Sequence, residues 1–74
     1  MQLTRQFYRA HLIVWWAEKI PDTNFWKGRA AISEKLREPQ PHRLEGLDAR
    51  FETEKEARDY ILQAAKEWID NRFK

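Results

Sequence analysis

The strongest constraint on this fold sits in the last third of the chain. Thr53-Glu54-Lys55-Glu56 has the form of a capping box, with Thr53 as N-cap and Glu56 reaching back to its amide. Ala57, Tyr60, Ile61, Ala64, Trp68 and Ile69 then recur at three- and four-residue spacing and draw one apolar stripe. Glu54, Glu56 and Asp59 lie toward the positive end of the helix dipole, Arg72 and Lys74 toward its negative end. Together these features predict one helix over about 54–72. A helix with a single stripe must bury it against another element, and the residues before it have the two-residue period of strands.

Three strands are predicted. In residues 7–16 the even positions Tyr8, Ala10, Leu12, Val14 and Trp16 are all apolar, whereas the odd positions Phe7, Arg9, His11, Ile13 and Trp15 are mixed, so the even set is read as the core face. Ile20-Pro21-Asp22-Thr23-Asn24 is turn chemistry. A second strand over about 25–33 puts Trp26, Gly28, Ala30 and Ile32 on one face and Phe25, Lys27, Arg29 and Ala31 on the other. Gly28 weakens that strand unless something approaches closely, and Trp16 or Trp26 is the expected neighbour. Pro39 and Pro41 mark a connection. A third strand over about 43–51 brings Leu44, Leu47, Ala49 and Phe51 to one side if Gly46 is a bulge. The expectation is an α+β fold: a three-stranded antiparallel meander with one C-terminal helix on one face. The expected core is Tyr8, Leu12, Val14, Trp16, Trp26, Ala30, Ile32, Leu47, Phe51, Ala57, Ile61, Ala64 and Trp68.

Composition narrows the rest. The 74 residues carry no Cys, which removes disulfides and thiolate zinc sites, and leave room for one domain over 1–74. Four Trp among ten aromatics, with a net charge of only +2, argue against disorder. The longest apolar run, Leu12 to Ala17, is far short of the about 20 residues of a spanning helix. Residues 1–6 show no signal-peptide core, so a cytoplasmic location with no membrane partner is expected.

Glu45 to Ala57, followed by Arg58 to Asp70, resembles the small βββα modules of HicB type: a short strand, a Thr with Glu-Ala in the next turn, and a helix ending in Trp-Ile-Asp. The chain is also similar to uncharacterised bacterial small proteins with a Trp-x-Gly strand and a Phe-x-Thr-x-x-Glu-Ala helix start. The HicB resemblance implies a partial double-stranded-RNA-binding-like fold and, from the best-known members, a role in masking a small RNA-cleaving toxin. It transfers no functional residue.

The inventory for catalysis is poor. Ser33 is the one serine, His11 and His42 have no ligand spacing, and Gly28 and Gly46 form no phosphate loop. No enzyme activity, cofactor or metal is expected. Residues 1–51 hold nine Lys+Arg against six Asp+Glu, a balance of +3, and residues 52–74 hold five against six. The informative surface is the sheet face away from the helix, which the strand phases assign to Phe7, Arg9, Ile13, Trp15, Phe25, Lys27, Arg29 and Arg50, with His11, Arg43 and Asp48 beside them. Aromatics with Arg suit a protein interface or homo-oligomer, the leading expectation. Aromatics with cations on a sheet also suit single-stranded nucleic acid such as RNA, the alternative.

Overall fold

The computed structural model describes residues 4–34, 42–45 and 49–73. They form an antiparallel meander of four strands, β1 (Thr4–Tyr8), β2 (His11–Lys19), β3 (Trp26–Glu34) and β4 (His42–Glu45), in spatial order 1-2-3-4, followed by α1 (Glu54–Asn71). The α+β meander with a C-terminal helix is as expected, with one strand more. The helix lies across β2 and β3.

The extra strand comes from a hairpin at Arg9-Ala10. Both residues have positive φ, 47° and 64°, and Tyr8 pairs directly with His11. A two-residue loop with left-handed backbone at both positions is the type I′ geometry that matches strand twist. Arg-Ala carries none of the Asn or Gly that normally announces it, so the sequence reads as one continuous strand.

That hairpin reverses the phase of everything after it. Tyr8 faces the helix, as expected, but so does its partner His11, and with it Ile13, Trp15 and Ala17. The expected core positions Leu12, Val14 and Trp16 point to the opposite face and are half-buried. The register to β3 fixes the choice. Ile13 pairs with Ile32, Trp15 with Ala30 and Ala17 with Gly28, and these partners share the helix face.

The core consists of Ile13, Trp15, Ala30, Ile32, Ile61, Ala65 and Ile69, with Tyr8, Leu44, Leu62, Ala64 and Trp68 packed at its edge. On α1 the fully covered residues are Ala57, Ile61, Ala65 and Ile69, one every four. The stripe is therefore narrower than the pattern suggests. Tyr60 is on its flank, tilted against Phe51 at 5.1 Å, and Ala65 takes the place expected of Ala64. Thr53 caps the helix by accepting from the Glu56 amide at 3.1 Å. The Glu56 side chain reaches the Thr53 hydroxyl, at 3.0 Å, rather than the amide.

The last strand is shorter than expected. β4 ends at Glu45, and the chain rejoins the sheet at Phe51, whose N–H and C=O both bond Trp26 at 2.9 and 2.7 Å. The bulge expected at Gly46, together with Leu47 and Asp48, lies outside the described residues. His42 stacks on Trp68 with ring centroids 4.4 Å apart, and this contact ties β4 to the helix.

Candidate interaction face

The face of the sheet opposite α1 is covered by none of the described elements. Its first row runs Arg5, Val14, Ala31 and Arg43 across the four strands. Beside it lie Phe7, Leu12 and Ser33, and on the other side Trp16, Arg29 and Glu45, then Glu18 and Lys27. The centre is apolar, supplied by Leu12, Val14 and Trp16 of β2. Phe7 at the edge is 64% exposed.

One carboxylate organises the Trp16 end. Glu18 accepts the indole N–H of Trp16 on Oε1 at 3.0 Å, and its Oε2 lies 3.1 Å from Nε of Arg29. Trp16 and Arg29 are also direct cross-strand partners. The indole and the guanidinium are thereby held side by side, each tied to a different oxygen of the same group, which limits their rotamer freedom before any partner arrives.

Four of the residues expected on this face are on it: Phe7, Lys27, Arg29 and Arg43. Ile13 and Trp15 are not. They are 0% and 7% exposed, under α1, because the hairpin reverses the phase of β2. Arg9 is in the hairpin turn and is drawn to the helix end, with its Nε 3.1 Å from Asp70 Oδ1 and its guanidinium 5.2 Å from the Phe73 ring centroid. Phe25 closes the β2–β3 loop, where its C=O accepts the Ile20 N–H, and Arg50 is exposed in the segment before the Phe51 bridge. Arg5, Leu12, Val14 and Trp16 are the face residues that the sequence reading placed elsewhere or left out. The signal for the three on β2 is that both alternating sets of that strand are apolar.

The candidate chemical groups do not converge. Ser33 is on the open face opposite Leu12, whereas His11 is buried beneath the helix and His42 is on Trp68. Among the described residues no three His, Asp or Glu side chains come together as a metal site, and no helix is long and apolar enough to cross a membrane. A second polar cluster joins the helix end to the hairpin: the Tyr8 hydroxyl donates to Asp70 Oδ1 at 2.8 Å. That bond is the main reason the Tyr8 hydroxyl is held above its ordinary pKa; desolvation and the Asp70 charge add to it, and Arg9 opposes it. Asp70 is unfavourably placed in the last helical turn, and Tyr8 and Arg9 compensate.

Neither a family model, nor a curated protein, nor a solved structure matches the chain. The HicB-type resemblance therefore rests on its own residues alone.

Proposed function

We propose that this chain is a non-catalytic protein-interaction module whose working surface is the open face of the sheet. The observation that carries this reading is the composition of β2. An antiparallel sheet with one solvated face normally alternates apolar and polar residues. Here Ile13, Trp15 and Ala17 line the core face, and Leu12, Val14 and Trp16 line the open one. That is the pattern of a strand covered on both sides, and the described residues supply one helix to cover it.

Nucleic acid is the second reading, favoured by the exposed Phe7 ring and by Trp16 beside Arg29. It fits less well because the centre of the face is Leu12 and Val14, whose aliphatic side chains offer bases no stacking platform. Site-specific photo-crosslinking in cells separates the two. A photoreactive residue at Val14 is expected to give an adduct that protease destroys and nuclease leaves intact, while the same residue at Gln63, on the exposed side of α1, gives none. A nuclease-sensitive adduct at Val14, or equal adducts at both positions, overturns the reading.

A further inference from the structure

Building on the open face as a protein interface, we infer that its occupant is an amphipathic helix of another protein whose apolar stripe is flanked by carboxylates. Two observations lead there. The first is charge. The apolar centre is bordered by Arg5 and Arg43 at the two ends of one row and by Arg29 and Lys27 at the Trp16 end. The register puts two acidic residues on this face: Glu18, which accepts from Trp16 and pairs with Arg29, and Glu45, opposite Arg29 on β4, so four cations stand against two anions. A second copy of the chain would bring the same excess of cations. Aligned sheet stacking about a two-fold axis through the row from Arg5 to Arg43 would set arginine against arginine. Carboxylates flanking an apolar stripe instead meet Arg5 and Arg43 with opposite charge.

The second observation is size. Four strands about 4.8 Å apart, with some 3.3 Å per residue along them, give a face of roughly 400–500 Å². Its apolar centre, Leu12, Val14 and Trp16 with Ala31, is confined to β2 and β3, the two strands that α1 spans on the other face, and these two strands match the width of one helix, about 10 Å, lying along them for about 20 Å or some 14 residues, with Arg5 and Arg43 on the strands at either side. The helix would lie on the open face as α1 lies on the other, making a helix–sheet–helix sandwich.

The test is a selection on the whole 74-residue protein. A displayed library of 14-residue helical segments keeps one apolar stripe and randomises the flanking positions among Glu, Gln and Lys. The expected result is enrichment of Glu at the flanks. Selected peptides should bind about tenfold more weakly to the double variant Arg5→Glu, Arg43→Glu, and their Lys-flanked versions should prefer that variant. Both substituted residues are exposed, so folding is retained; Val14→Glu, expected to abolish binding, is checked separately for its circular dichroism. Lys-flanked or charge-indifferent peptides binding at the open face overturn the acidic helix but leave the face as a protein interface. So does a dimer in sedimentation equilibrium that Val14→Glu dissociates. If open-face amide resonances respond to no peptide and to no second copy, or to a single-stranded oligonucleotide alone, the interface reading falls as well.

Discussion

Gly28 and Ile61 are in such close approach that a Cβ on Gly28 would lie 2.5 Å from Ile61 Cβ and 2.6 Å from the Ala57 carbonyl oxygen. The helix thus rests on the backbone of β3, and Ala17, the cross-strand partner of Gly28, is the small residue that completes the seat. Neither Trp16 nor Trp26 fills this space. Gly28→Ala is expected to destabilise the protein by about 1–3 kcal/mol, because a backbone oxygen is among the atoms that must move. Ser33→Ala, on the open face of the same strand, should change stability by about 0.5 kcal/mol or less. Equal urea midpoints for the two variants would contradict the helix position.

The phase of β2 is tested by two neighbouring residues. Ile13→Ala should cost about 2–5 kcal/mol, since Ile13 is fully enclosed. Val14→Ala, on the half-buried opposite face, should cost about 1 kcal/mol. Thermal unfolding of both variants reads the difference directly, and the reverse order would restore the even positions to the core.

The hairpin turn holds Ala10 at a φ of 64°, where a Cβ is disfavoured. Ala10→Gly is therefore expected to stabilise the fold by about 0.5–1 kcal/mol, the steric relief exceeding the added freedom of the unfolded chain. A lowered melting temperature would mean that the turn is not of this type.

Alkaline pH should weaken the fold through Tyr8. Its hydroxyl proton is held more tightly in the folded state than in the unfolded one, chiefly by the hydrogen bond to Asp70. The linked stabilisation is fully present below the ordinary tyrosine value of about 10 and is lost as pH rises through the higher folded value. Lys55, raised by its hydrogen bond to Asp59, has the same sign, but the pair is exposed and contributes little. Stability measured in urea from pH 8 to 11 should fall above pH about 10. Tyr8→Phe should be less stable at neutral pH and lose less of its stability over that range.

Removing the helix cap should cost about 1 kcal/mol in Thr53→Ala, because the Glu56 amide then has no side-chain acceptor. Thr53→Ser keeps the oxygen and should restore most of the loss, as urea midpoints of the two variants will show.

Local chemistry was legible wherever one residue type has one structural consequence. Thr53 with Glu56 marks the start of α1. Pro21 and Thr23 mark the β2–β3 loop, in which Thr23 bonds the Ile20 carbonyl through both its amide and its hydroxyl. The alternation of β3 is equally plain, because Trp26, Gly28, Ala30 and Ile32 contrast with Lys27 and Arg29. From these alone follow a capped C-terminal helix, an antiparallel meander before it, and Lys27 and Arg29 on the open face.

What the tertiary structure decided is which side of β2 is inside. Both alternating sets of that strand are apolar, so hydrophobicity cannot choose between them. The turn that sets the phase is built from Arg9 and Ala10, whose left-handed backbone is imposed by strand pairing and not by their own preference. Once Tyr8 pairs with His11, and Ala17 lies opposite Gly28 where the helix backbone needs room, Ile13 and Trp15 go to the core. Leu12, Val14 and Trp16 are then left on the open face. A one-residue change of phase exchanges the two faces of a strand, so the surface available to a partner was fixed by register between strands and by the close approach of a helix, neither of which is a property of β2 alone.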